Sequence, residues 1–398
     1  MARILLAWEL GAGYGHLTML RRIADAARSR GHDVVYAVRS LDAAADVLGV
    51  TAPLFQAPLV GANHTLAGTR LPLGSLPDIL YSAGFSHAST LLPAVRGWEM
   101  LLEVLRPDVI VADYAPVLTL TAWSFFPVLA VGTGFTLPPR HLAELPPLAP
   151  KAGAGIPAAR ILEVAEEIQA LRQAPALGSL GALVGGDRAF AFGLGLFDPY
   201  RDLRLEPLYA PLEPLPPPLP PPANLRSVFA YLGGDFPPTM PALVALAEMA
   251  RERDIRVGTY VRRGSQRLAG ALAALGVTVY DHPPPLNDAL ADHAVVVHHG
   301  GIGTASAALA AGRPQVLLSQ HLEHGLNGDA LARLGCGVTV AGGGDPSLLG
   351  RAVATVIDDP AAAARAAAGA AAVSRGQPDG LAPLLDALDG LAGTGGAA

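Results

Sequence analysis

Residues 295–314 read VVVHHGGIGTASAALAAGRP. A run of valines leads into His298 and His299, then Gly300, Gly301, Gly303 and Thr304. The valines are a buried-strand signature and residues 305–311 are strongly helix-prone, so the glycines occupy a strand-to-helix turn. Glycine lets the backbone approach a ligand closely, and the free amides at a helix N-terminus favour an anion, phosphate best of all. Thr304 stands where a first-turn hydroxyl can donate to a phosphate oxygen, and His299 can donate from its ring to the same group. The loop is neither a Walker loop, since no GK[ST] follows, nor a GxGxxG dinucleotide fingerprint. His298, next to the loop, reads as structural.

The elements that must carry this loop belong to an alternating α/β pattern. ARILLAWEL is an apolar run ending at Gly11, Gly13 and Gly15. HLTMLRRIADAARSRG follows with Leu17, Leu20, Ile23, Ala24 and Ala27 at helical spacing and Gly31 as a C-cap, and HDVVYAV reads as the next strand. Such a strand–loop–helix–strand unit builds parallel sheets. PDVIVADY (107–114) and PVLAVGT (near 128–133) are further strands. EPLYAPLEPLPPPLPPPAN, residues 206–224, can be neither helix nor central strand, because proline removes amide donors and favours extended geometry. After this connector the α/β rhythm restarts with SVFAYLGG, IRVGTYV, VTVYDH, AVVVHHGG, PQVLLS and VTV as strands. Residues 361–372 read as an alanine-rich helix, and the final GLAGTGGAA as a frayed tail. Four segments are expected: a Rossmann-like domain over 1–205, the proline-rich linker 206–224, a second such domain over 225–375, and a helix and tail over 376–398. A ligand cleft between the two domains is the expected site.

Composition limits the partners. With 398 residues, 51% hydrophobic and 16% charged, the chain is globular. A net charge of −6 argues against nucleic acid, which wants a basic surface. The single cysteine, Cys336, excludes an intramolecular disulfide framework and reads as a small buried side chain. No secretory signal and no apolar run long enough to span a membrane are read from the sequence, so a cytoplasmic protein is expected.

From His299 the chain continues HGGIGTASAALAAGRPQVLLSQHLEHGLNGDALARLGCG. This resembles the donor-binding signature HGGxGTxxxALxxGxPxxxxPxxxDQxxNAxxxxxxGxG of family 1 (UGT-like) glycosyltransferases of GT-B fold, and in particular their bacterial natural-product type. The resemblance implies two Rossmann-like, doubly wound parallel-sheet domains facing a central cleft. It also implies that His299 and Thr304, with the amides of Gly300, Gly301 and Gly303, grip a nucleotide diphosphate. Glu323 and His324 fall where the family has Asp-Gln on the donor sugar, and Asn327 matches the following Asn. Gly233 and Gly234, in YLGG, fall at a turn beside the phosphates. In the first half, GYGHLTML resembles the GHxxP loop and places His16 on the general base. PDVIVADY places Asp113 on the acidic partner of that base. A histidine can take a proton from an acceptor hydroxyl near neutral pH, and a carboxylate behind it fixes the tautomer and stabilises the imidazolium.

The pattern is departed from at several places. Glu323-His324 stands for Asp-Gln, and Ala307 takes the place of the ribose-holding Glu of plant members. Pro283 takes the place of their base-stacking Trp, with Tyr280 or His282 as substitutes, and Met19 that of the GHxxP proline. A missing ribose carboxylate points to dTDP-sugars beside UDP-sugars. His321, Glu323 and His324 fall on the sugar place, and the resemblance implies no metal and no cofactor beyond the nucleotide sugar as co-substrate. Trp123, Phe125 and Phe126 read as core, whereas Phe135 and residues 64–87 are candidates for an acceptor pocket. The expected protein is an inverting, metal-independent hexosyltransferase acting on a small apolar acceptor. Two alternatives stand beside it: a catalytically silent nucleotide-sugar-binding or auxiliary protein of the same fold, and a nucleotide-sugar epimerase. Intact His16 and Asp113 speak against the first, and the contiguous signature against the second.

Overall fold

The computed structural model describes residues 1–62, 65–66, 69–71, 73–149, 155–373 and 376–394; His64 and the last four residues of the expected tail lie outside this set. The chain divides into two compact units, Met1–Glu213 with Gln377–Ala398, and Pro214–Gly376.

In the first unit the strands are β1 (Arg3–Trp8), β2 (Asp33–Val38), β3 (Leu54–Gln56), the small hairpin β4 (Thr65–Leu66) and β5 (Thr69–Arg70), then β6 (Val109–Asp113), β7 (Val128–Gly132), β8 (Arg188–Phe192) and β9 (Leu208–Tyr209). The main sheet has the order β3-β2-β1-β6-β7-β8-β9, and every pair is parallel. Parallel strands covered on both faces need apolar residues on both. Leu5, Ala7, Val35, Ala37, Ile110 and Ala112 pack on one side against the helix Ala88–Leu105 through Leu91, Val95, Trp98 and Leu102. Ile4, Leu6, Tyr36, Val109 and Val111 pack on the other against the helix Gly15–Ser29.

The last helix, Leu381–Thr394, belongs to that second face, with Leu384 and Leu388 fully buried. Residues 390–394 are therefore helix, not frayed tail. Burial of those leucines stabilises a glycine-containing segment whose own helix propensity is low. Arg30 and His32 meet its Asp386 and Asp389 at 2.5–2.9 Å. Residues 206–213, the first part of the expected linker, also group with this unit, and Leu208–Tyr209 is an edge strand. An edge position tolerates the neighbouring prolines because only one side of the strand needs its donors.

In the second unit the strands are β10 (Ser227–Gly233), β11 (Arg256–Arg262), β12 (Thr278–Val279), β13 (Val295–His298), β14 (Gln315–Ser319) and β15 (Gly337–Ala341). Their order is β12-β11-β10-β13-β14-β15, again all parallel. Val228, Ala230, Val295, Val297, Val316 and Leu318 face the helices Thr239–Glu252 and Ser347–Asp358, while Val296 turns to Ala308 and Ala311. The proline-rich segment is pinned to this unit: the buried Arg313 guanidinium donates to the carbonyls of Leu290, Leu219 and Pro220.

Both sheets share one topology. The chain builds outward from β1 or β10 in one direction, then returns to the other side of that same strand with β6 or β13. This is the doubly wound order, and ligands of such sheets bind outside the carboxyl ends of the two strands where the direction reverses.

Candidate functional site

In the first unit the reversal lies between β1 and β6, whose ends pair in register at Trp8 and Asp113. The loop after β1 turns through Gly11 (φ +86°) and Gly13 (φ +89°), a left-handed region that glycine enters without strain. The helix Gly15–Ser29 follows at once, so His16 sits in its first turn. His16 Nδ1 lies 2.9 Å from Asp113 Oδ2. Asp113 is fully buried, and its other oxygen, Oδ1, has no hydrogen-bond partner among the described residues. The imidazole is held edge and face: it stacks at 5.1 Å on Trp8 and at 6.4 Å on Tyr114. Tyr114 has φ +46°, an uncommon conformation for a side chain of that size, and its carbonyl accepts the N–H of Leu10. The two loops at the strand ends are thereby fastened to each other.

Asp113 accepts a hydrogen bond best from Nδ1–H, which leaves the lone pair on Nε2 as the base. Gly11 lies against that nitrogen, since a methyl group added to it would collide with His16 Nε2. A fourth residue braces this corner. The Glu9 carboxylate accepts the amides of Val117 and Leu118, at 2.9 and 2.6 Å, at the start of the helix Pro116–Ala122. Burial pushes the Glu9 carboxyl up to about 8 even though those amides favour its charged form.

In the second unit the reversal lies between β10 and β13. His299 spans it. Its Nδ1 lies 2.9 Å from the carbonyl oxygen of Leu318, at the end of β14, and Gly233, at the end of β10, donates its backbone N–H to Nε2 over 2.8 Å. A neutral ring with its proton on Nδ1 satisfies both bonds. Burial also holds this imidazole below its usual range. The expected ring donor to a phosphate is thus engaged within the protein in this structure, and His299 joins three strand ends instead. Phe236 packs edge-on against it at 5.6 Å.

The glycines of this loop differ in their surroundings. Gly300 has φ +105°, and a Cβ there would come within 3.1 Å of His324 Cα, so only glycine lets the helix Leu322–Arg333 approach the loop. Gly301 precedes the helix Ile302–Ala310, and Gly303 and Thr304 lie in its first turn. A Cβ on Gly301 or Gly303 would meet nothing within 4 Å. Asn327 is buried, and its side-chain amide donates to the Gly300 carbonyl over 2.8 Å, so in this structure it positions the loop. His298 is enclosed between Gln315 and the Gly300 amide, and burial pushes its ring down to about 4. His324 is buried between His299 and His321, with ring centroids at 6.2 and 3.7 Å. Its Nδ1 has no partner among the described residues, and burial lowers its pKa strongly. Glu323 lies in the first turn of the same helix.

One core expectation differs from the structure: Phe125 is 57% exposed, with the Arg172 guanidinium over its ring at 5.9 Å. Phe135, an acceptor-pocket candidate, is buried. His87 is exposed just before the helix Ala88–Leu105. Tyr114, Glu9, Leu318, Asp235 and Arg262 are not marked by the sequence, because their importance comes from neighbours on other strands.

With this geometry in place, comparison with known proteins gives a consistent answer. Residues 273–388 match the family model described as the erythromycin biosynthesis protein CIII-like C-terminal domain. No curated protein matches the chain. Among solved structures, the glycotransferase of kitacinnamycin superposes with a TM-score of 0.64 at 20% identity, covering 98% of this chain and 99% of its own. The calicheamicin glycosyltransferase CalG4 gives 0.66 at 19% identity, covering 98% of each chain. The chain has the GT-B fold. SsfS6 from Streptomyces sp. SF2575, complexed with thymidine diphosphate, gives 0.60 at 21% identity, covering 98% of this GT-B chain and 100% of that one. Among the described residues, no helix of this GT-B protein is long and apolar enough to cross a membrane.

Proposed function

We propose that this chain is an inverting glycosyltransferase that needs no metal, works in the cytoplasm, and moves a sugar from a nucleoside-diphosphate donor to the hydroxyl of a small apolar acceptor. The observation that carries this reading is the His16–Asp113 pair, 2.9 Å apart at the reversal point of the first sheet. A protein that only held a nucleotide would have no use for a buried carboxylate orienting an imidazole.

In the proposed reaction, Asp113 keeps the His16 proton on Nδ1. Nε2 then takes the proton of the acceptor hydroxyl as its oxygen attacks the anomeric carbon. The bond from that carbon to the diphosphate oxygen breaks, and the nucleoside diphosphate leaves from the opposite face, inverting the anomeric centre. Asp113 stabilises the imidazolium so formed. In the second unit, the amides at the start of the helix Ile302–Ala310 and the Thr304 hydroxyl face charge growing on the leaving group, a dipolar arrangement in place before the reaction begins. Such a site asks nothing of a metal ion. Glu323 and His324 would meet the sugar and so set which sugar is taken.

The thymidine diphosphate bound by SsfS6 supports a thymidine-linked donor, as does Ala307 where plant relatives carry a ribose-holding carboxylate. The lone cysteine, buried and free, suits a reducing compartment. The test is to offer dTDP-, UDP- and GDP-sugars and record thermal stabilisation, followed by proton NMR of any glycoside formed. A donor at about 100 times its dissociation constant should add about 2.7 kcal/mol of stability. No stabilisation by any donor, or a product that retains the donor's anomeric configuration, would refute the reading.

A further inference from the structure

At the carboxyl end of β10, three polar groups at or just beyond the ends of three strands converge on Gly233. A methyl group added to this glycine would lie 2.5 Å from Asp235 Oδ1, 3.2 Å from Arg262 Nη2 and 3.6 Å from His299 Nε2. Arg262 is the last residue of β11 and pairs in register with Gly233. Its carbonyl accepts the N–H of Gly234 over 2.8 Å, which fixes the strand end beside the glycine turn. Its guanidinium is largely enclosed, with a side-chain exposure of 16%, and Nη2 lies 3.1 Å from both oxygens of Asp235.

Of the three groups that converge here, only Arg262 carries a full positive charge. The His299 imidazole is neutral with both nitrogens engaged. A carboxylate beside a crevice built for an anion is the unexpected element, because by itself it would repel a diphosphate. Its place is explained if it occupies the guanidinium while the crevice holds no anion. Asp235 is half-exposed, at 48%, so water can receive it when Arg262 lets go. A planar guanidinium suits this exchange, since it can present two parallel N–H groups to phosphate oxygens.

Resting on the reading of the second unit as the donor domain, we propose that Arg262 is a direct ligand of the donor diphosphate, held by Asp235 until the nucleotide arrives. The exchange breaks no covalent bond. One anion replaces another on the guanidinium, and Asp235 turns to solvent.

The test is calorimetric titration of the full chain with thymidine diphosphate, uridine diphosphate and thymidine, for the wild type and for Arg262→Gln, Arg262→Lys and Asp235→Asn, with melting points as folding controls. Arg262→Gln should weaken diphosphate binding at least tenfold and leave thymidine binding unchanged, and Arg262→Lys should restore part of the loss. Asp235→Asn should tighten diphosphate binding several-fold, because the competing carboxylate is gone. Diphosphate binding unaffected by Arg262→Gln would overturn this inference while leaving the donor-domain reading intact. Equal losses in Asp235→Asn and Arg262→Gln would also overturn it, since the pair would then be a staple of the turn. A wild type that binds neither diphosphate would overturn the inference and the reading together.

Discussion

Gly233 donates its backbone N–H to Nε2 of His299, and that one bond ties the end of β10 to the end of β13 across the reversal point of the second sheet. The opposite edge of the ring reaches the Leu318 carbonyl on β14. Replacing His299 by alanine leaves a strand-end amide and a carbonyl without partners and opens a cavity beside Phe236. A loss of about 2 kcal/mol in unfolding free energy is expected, together with weaker nucleotide binding. Denaturant titration measures the first. Nitrogen NMR of the wild type at pH 7 should show a neutral ring protonated at Nδ1, and a doubly protonated ring would contradict the bonding described.

Gly11 lies against the working nitrogen of His16. Gly11→Ala both strains a backbone at φ +86° and pushes a methyl group into Nε2. The strain should cost about 1–2 kcal/mol. Turnover should fall far more than stability does, because the ring must leave Asp113 or lose access to the hydroxyl. Melting curves and initial rates on the same sample separate the two effects, and a variant with full activity would show that the acceptor does not approach from this side.

Glu9 gives the protein a pH dependence of definite sign. Its carboxyl is raised from 4.5 to about 8 by burial, so the folded state binds a proton that the unfolded chain releases. The stabilisation is complete below about pH 4.5 and is lost as pH rises toward 8, with a slope of at most roughly 1.4 kcal/mol per pH unit. The Val117 and Leu118 amides donate to separate oxygens of Glu9, so Glu9→Gln keeps one of these bonds and sets its NH2 against the other amide. It should lower stability by about 1–3 kcal/mol at every pH and flatten that slope. Melting temperatures from pH 5 to 8 test this, and equal slopes in both proteins would remove Glu9 as the cause.

Much of this architecture was legible in the sequence because buried parallel strands carry near-continuous apolar runs. PDVIVADY and AVVVHHGG needed no partner to be recognised, and the glycines after β1 and β13 marked both loops. His16 and Asp113, 97 residues apart, were paired by motif resemblance, and the strand order then explains why they meet. What was illegible depends on tertiary neighbours. A sequence gives the type of residue 299 but not the direction of its ring, which is set by Gly233 and Leu318 from other strands. Asn327 likewise reads as a ligand residue until the Gly300 carbonyl is seen to take its amide. Residues 390–394 look like a tail because their helix is stabilised by Leu384 and Leu388 docking on a sheet whose strands all lie within residues 3–209. VTVYDH, read as a full strand, forms only two ladder residues, with the aromatic Tyr280 leaving the strand to pack edge-on with Phe229.

The central claim is that His16, oriented by Asp113, removes the acceptor proton. The most direct measurement is the rate of glycoside formation by His16→Ala and Asp113→Asn, with nucleotide affinity of the same samples determined by calorimetry. His16→Ala is expected to abolish transfer and Asp113→Asn to slow it by about two to four orders of magnitude, both at wild-type affinity for the nucleoside diphosphate. Transfer by His16→Ala at the wild-type rate would contradict the account.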